Sequence, residues 1–294
     1  MSGEAENGGG YSFQRAALVI GGILLARLVA LWFNRTELFF DESQYWAWST
    51  APDWGYYSKP PLIAWIIALS TKVCGDGEAC IRLPAVALHA VTALLVYVLG
   101  RRLYSARTGF WSALAYATLP GVSVSSGIIS TDVPLLLTWA LALIGFAGLV
   151  GAAVEAPGAK ALPPRFASVV LGLGLGLGLN AKYAMAYAVL SAALYFWLEP
   201  AARPVLRKPW LWIALALGIL CIVPNLVWNA HHSFATFSHT ADNAKWEGGD
   251  HFNIGKAAEF LGAQFGVFGP VLFGTLLAFL WRAVRARAET RPAD

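Results

Sequence analysis

Residues 40–62, FDESQYWAWSTAPDWGYYSKPPL, gather the side chains of this sequence best suited to chemistry. Asp41 and Glu42 set two carboxylates side by side, and a carboxylate can take a proton from an attacking hydroxyl. Tyr45, Trp46, Trp48, Trp54, Tyr56 and Tyr57 follow, and Lys59 adds an ammonium ahead of Pro60 and Pro61, where a cation can meet an anionic group. If the segment is helical, Asp41, Tyr45 and Trp48 fall at i, i+4 and i+7 on one face, a carboxylate flanked by aromatic surface. The plainer reading is a belt of interfacial aromatics with a solvated acidic pair.

Other positions bear on the same question. Asp132, in the polar turn Ser-Thr-Asp, either approaches the same cavity or caps the helix that begins at Val133 and Pro134. Arg82 and Lys182 lie near the ends of apolar runs and, with Lys59, are candidates to bind a phosphate; snorkelling to the membrane surface is the alternative. His231 and His232 are adjacent and so do not share a helix face, and no HExxH, CxxC or DxD pattern accompanies them. They are read as acceptor or phosphate contacts or as plain interfacial polarity, and neither an essential metal nor a cofactor is expected. Cys74 and Cys80 bracket CGDGEAC, a disulfide on an oxidising face or two free thiols, while Cys221 reads as a buried thiol.

The elements that must hold these groups are membrane helices. Of 294 residues, 57% are hydrophobic and 13% charged, with a mean hydropathy of +0.57, whereas about a quarter of a soluble domain is charged. Apolar runs recur along the whole length, so the fold class is all-α and integral to the membrane. Residues 1–10 carry no basic n-region, and no cleaved signal peptide is expected. The run 13–33 matches the roughly 20 residues that cross a bilayer, with Arg27 inside it. Residues 61–73 are too short to cross and fit an interfacial or re-entrant helix. Crossings follow at 81–99, 110–129 and 133–150, then 166–198 as two short helices meeting near Lys182, then 210–228 and 257–281. Within 166–198, LGLGLGLGLN lacks GxGxxG spacing and a βαβ context, so its glycines suit close helix packing instead of a nucleotide loop.

About eight crossings place Arg15, the loops with Arg101, Arg102, Arg107, Lys160, Arg165, Arg203, Arg207 and Lys208, and Arg282, Arg285, Arg287 and Arg291 on one side. The positive-inside rule makes that side cytoplasmic. The chain then divides into a cytoplasmic tail at 1–12, a transmembrane domain at 13–281 with outer loops at 34–80 and 229–256, and a basic tail at 282–294. Asp41, Glu42, Asp53, Asp76, Glu78, Asp132, Asp242, Glu247 and Asp250 face outward, and the basic balance is explained without nucleic acid.

FDESQYWAW with GYYSKPPL, then IRLPA, STDVPLLL, LGLGLGLNAKYA and PNLVWNAHHSFATF, resemble in order the segments of a known family. It is the GT-C glycosyltransferases of the protein O-mannosyltransferase and aminoarabinose transferase type, glycosyltransferase family 39. The resemblance implies an enzyme of a bacterial inner membrane that moves a sugar, with inversion, from a polyprenyl-phosphate donor to a lipid, glycan or protein acceptor at the outer face. It implies Asp41 as general base, with Glu42 as a hydrogen-bonding neighbour or second candidate and Asp132 orienting the acceptor or binding the donor sugar. Lys59, Arg82 and Lys182 would then meet the donor phosphate, and Tyr45, Trp48, Tyr57, His231 and His232 the sugar or acceptor. Family members usually continue through more membrane helices than this chain. A transporter or lipid flippase, or an inactive partner, is the alternative; intramembrane Arg27 and Lys182 would suit a substrate path, but no internal repeat is evident.

Overall fold

The computed structural model describes residues 10–154, 162–244 and 253–289, so Lys160, Glu247, Asp250 and Arg291 lie outside the described residues. The described residues contain helices and no strand. Helix α1 (Phe13–Phe33) opens at Ser12, whose Oγ accepts from Arg15 N, satisfying one of the donors a helix start leaves free. Helices α2 (Phe40–Ser49) and α3 (Leu62–Cys74) are both too short to cross, as expected for an outer segment. A disulfide between Cys74 and Cys80, with Cα atoms 5.8 Å apart, closes the corner into α4 (Glu78–Leu103).

The expected crossing at 110–129 is broken into α5 (Ala106–Thr118) and α6 (Pro120–Ser125). Pro120 has no N–H to donate, and Leu119 is extended at ψ 134°, so Gly121 does not return to Ala117 as it would in a continuous helix. Arg27 answers that loss. Its Nη2 donates to Ala117 O at 2.6 Å and to Ser123 Oγ at 3.1 Å. Arg27 therefore turns inward to the protein instead of snorkelling, and supplies a donor where lipid offers none.

Helices α7 (Asp132–Val154), α8 (Pro164–Ala181) and α9 (Ala186–Leu198) follow, with a 3-10 turn at Tyr183–Met185 between the last two. The chain breaks where expected, at Lys182, whose backbone is extended at φ −161° and ψ 134°. A 3-10 stretch (Pro200–Arg207), α10 (Pro209–His231), α11 (Ala235–Ala244), α12 (Ile254–Phe268) and α13 (Pro270–Glu289) complete the order. Five of these, α1, α4, α7, α8 and α10, are long and apolar enough to cross a membrane, or up to seven crossings if each of two bent pairs counts as one. The expected eighth crossing, 257–281, is one of those pairs: α12 and α13 meet at 119°. Gly269 at φ +78° makes the corner and Pro270 starts the next helix, a dipeptide that favours a break over a continuous span.

Helix α8 packs along α7 on one side and α10 on the other, and its glycines explain how. A Cβ on Gly172 would stand 2.7 Å from Ala214 O of α10, and one on Gly174 would stand 2.6 Å from Ala142 N of α7. Gly176 repeats the first contact against Cys221 and Gly178 approaches Thr138 of α7. Alternate glycines thus admit two neighbours to backbone distance, the packing read from the sequence. Asn180 locks the α8–α10 seam, donating at 2.9 Å to Gly176 O and at 2.9 Å to Cys221 O.

Candidate active site

Helix α2 takes its start from Glu42. Its Oε2 accepts from Phe39 N at 3.0 Å, satisfying a donor of the first turn from within. Its other contacts are long-range: Oε1 accepts from Arg82 Nε at 2.9 Å and from Ile129 N at 2.9 Å, and Oε2 from Arg82 Nη2 at 2.7 Å. Arg82 Nη1 donates to Thr36 O at 2.9 Å and Thr36 Oγ1 at 3.3 Å, and Nη2 to Glu37 O at 2.8 Å. Both side chains are 1% exposed. Burial would raise the Glu42 carboxyl, but the Arg82 hydrogen bond and the Ile129 and Phe39 amides outweigh it and hold it below its ordinary value. These contacts use every N–H of the guanidinium and both carboxylate oxygens. Of the two roles expected for Glu42, the bonds suit that of a hydrogen-bonding neighbour: they leave it no free lone pair to act as a base, and Arg82 no donor to offer a phosphate.

Asp41, the neighbour of Glu42, is exposed instead. One helical turn on, Tyr45 is buried at 2% exposure among Ile63, Ile67, Ile81 and Ile129. Burial raises the Tyr45 hydroxyl above its ordinary value, and the Asp41 and Asp132 carboxylates and a hydrogen bond to Asp41 raise it further. The phenol therefore stays protonated, near the Asp41 and Asp132 carboxylates. Asp132 is the first residue of α7, and its Oδ1 accepts from Lys182 Nζ at 2.8 Å in a half-exposed pair. So Asp41, Tyr45, Asp132 and Lys182 converge at one end of the bundle, where α2, α7 and the α8–α9 break meet. Lys182, expected as a contact for the donor phosphate, is engaged by Asp132. The described residues show no ion pair to Asp41 or Lys59.

The aromatics divide. Trp48 stacks on Tyr56 at 4.8 Å and 8°, and with Tyr45 it packs within the protein more than it opens a sugar surface. Tyr57, 62% exposed and 5.2 Å from the His239 ring, is the more open of the expected sugar contacts. His231 is exposed at the end of α10, whereas His232 stacks on Trp228 at 3.9 Å and its Nδ1 lies 2.7 Å from Trp228 O. Among the described residues no three His, Cys, Asp or Glu side chains group as metal ligands.

The 53–59 loop, which carries Lys59, is held by residues to which the sequence reading gave no role. Trp228 Nε1 donates to Asp53 Oδ2 at 2.7 Å, Asn225 Nδ2 to Trp54 O at 2.8 Å and Thr236 Oγ1 to Tyr56 O at 2.6 Å. Gly55 lies so close to Trp228 that a Cβ would collide with the indole. Asn229 Oδ1 accepts from Thr236 N at 3.3 Å, and Tyr183 OH donates to Asn225 Oδ1 at 2.8 Å. On the other flank Ser58 Oγ donates to Gln44 of α2 at 3.4 Å, so the loop is tied to the Asp41 helix as well as to α10. The only signal for these ties was polar residues recurring in PNLVWNAHHSFATF, an otherwise apolar helix end.

Residues 58–228 match the sequence profile of the dolichyl-phosphate-mannose-protein mannosyltransferase family, more than half of the chain. The chain belongs to that family. Among its relatives, the lipid A galacturonosyltransferase RgtD of Rhizobium johnstonii is 39% identical over 281 residues, 93% of this chain and 55% of that protein. An undecaprenyl phosphate-alpha-4-amino-4-deoxy-L-arabinose arabinosyl transferase of Pseudomonas aeruginosa is 35% identical over 85 residues, 29% of this chain and 15% of that one. The fold is similar to that of ArnT from Cupriavidus metallidurans bound to undecaprenyl phosphate, at TM-score 0.69 and 18% identity over 92% of this chain and 51% of that one. The chain thus spans about half the length of RgtD and of ArnT, at 55% and 51%.

Proposed function

We propose that this chain transfers a sugar from a polyprenyl-phosphate donor to a lipid acceptor at the outer face of a bacterial inner membrane, by direct displacement with inversion. The observation that carries the reading is the convergence of Asp41 with Tyr45, Asp132 and Lys182 beside the clamped Lys59 loop. The names of the relatives support the donor and acceptor classes: a lipid A galacturonosyltransferase, and an arabinosyl transferase named for undecaprenyl phosphate.

The division of labour follows from charge. Asp132 is paired with a cation and Asp41 is not, so Asp41 is the stronger candidate for general base and Asp132 for orienting the acceptor or the sugar. The acceptor hydroxyl forms a bond to the anomeric carbon and its proton passes to Asp41, while the bond from that carbon to the phosphate oxygen breaks. The departing polyprenyl phosphate keeps the electron pair, and the Lys59 ammonium meets its charge. Tyr57 and His231 lie exposed where they can touch the sugar or the acceptor. With the loops of 34–80 outward and the arginines of the opposite ends inward, this site faces the periplasm and the N-terminus the cytoplasm. A transport path is less well supported, because Arg27 and Lys182, the two cations that would suit it, are already bonded within the protein.

The test is transfer of labelled sugar in membranes containing the full chain, supplied with undecaprenyl-phosphate-linked galacturonate or aminoarabinose and lipid A. Asp41→Asn is expected to slow transfer by about 100-fold or more, and Lys59→Ala to raise KM for the donor. Equal transfer by all three proteins would overturn the assignment.

A further inference from the structure

A buried ion pair is weak evidence of stability, since apolar residues of similar volume commonly do as well. The Glu42–Arg82 pair is better read by what it connects. Its partners are Thr36, Glu37 and Phe39 in the segment before α2, Glu42 on α2, Arg82 in the second turn of α4, and Ile129, three residues ahead of Asp132. One carboxylate and one guanidinium thus join the helix that carries Asp41 to the turn that carries Asp132, across sequence separations of 40 and 87 residues. Asp41 is bonded to Glu42 through the chain, so fixing Glu42 in three long-range hydrogen bonds, two from Arg82 and one from Ile129, fixes the rotation of α2 about its own axis, and with it the direction of the Asp41 carboxylate. An apolar filling would preserve the packing but not that rotation.

We propose that Glu42 and Arg82 are positioning residues for the transfer reaction, setting Asp41 against Asp132 and Lys182 without touching substrate. The inference rests on the site assignment above, and the experiment separates the two. Full-length wild type, Glu42→Gln, Arg82→Lys, the apolar pair Glu42→Leu with Arg82→Met, Asp41→Asn, and Asp41→Asn with Glu42→Gln are compared for kcat, KM, melting temperature and undecaprenyl phosphate binding.

Positioning predicts that Glu42→Gln and Arg82→Lys lower kcat by about 100-fold, the loss a displacement of ångström size causes, with undecaprenyl phosphate affinity changed less than about threefold. It also predicts that the Asp41→Asn, Glu42→Gln protein is no slower than Asp41→Asn, because Glu42 acts through a group already removed. The apolar pair, folded with a melting temperature near the wild type, would remain slow. Wild-type kcat in a folded apolar pair would overturn the positioning role, as would losses that multiply in the double variant. Wild-type transfer by Asp41→Asn would overturn the site assignment itself, whatever the Glu42 variants do.

Discussion

At the residue scale, Glu42 shows how a carboxylate is kept ionised out of water: burial opposes its charge, and one guanidinium with two amides overcomes the opposition. Its folded value lies below the ordinary 4.5, so the pair contributes stability above that pH and loses it as the pH falls through the depressed folded value. Melting temperature measured against pH in detergent is therefore expected to decline below about pH 4.5 in the wild type, and the Glu42→Gln protein to show a shallower decline. Tyr45 has the opposite disposition. Burial, Asp41 and Asp132 all disfavour its ionisation, so it remains protonated, able to donate to a neighbouring carboxylate, at any pH at which the protein works. Tyr45→Phe is expected to reduce kcat by up to about tenfold, the worth of one net hydrogen bond, with circular dichroism unchanged.

At the scale of elements, the spans and the break at Lys182 were legible because run length and interruption are local properties of the chain. The interdigitation of α8 was legible for a similar reason, since glycines four apart state their own purpose. Gly174→Val, placing atoms against Ala142 N, is expected to lower stability by about 1–3 kcal/mol or more, whereas Gly21→Ala on α1, with nothing within 4 Å of the added atom, should be neutral or slightly stabilising in the same thermal assay. The Cys74–Cys80 bond closes a short loop ahead of Arg82. Replacing both cysteines by serine is expected to cost about 2 kcal/mol, and the denatured wild type should show one free thiol before reduction and three after it. Less legible were the breaks at Leu119 and Gly269: hydropathy averages across them, though Pro120 and Gly269-Pro270 were there to be weighed.

At the scale of the whole molecule, what escaped the sequence was pairing. Asp41, Asp132 and Lys182 were each identifiable by type and by the side of the membrane they should occupy. Nothing local says that Arg82 would be spent on Glu42, or that Asn225 and Trp228 would grip a loop more than 170 residues earlier. The proposed orientation is open to direct measurement: an epitope inserted at residue 245 should be labelled in intact spheroplasts, and one at residue 160 only after permeabilisation. Labelling in the reverse order would put the acidic end of the bundle in the cytoplasm.

The bond from Arg27 to Ala117 has a consequence in time. The two residues are 90 positions apart, so when α1 leaves the ribosome the carbonyl that its guanidinium will serve has not yet been made. At ordinary elongation rates the interval is roughly 5 to 20 s. Through that interval a charged side chain must be sheltered by water or by the insertion machinery. Helix α1 is therefore not fully seated until α5 arrives.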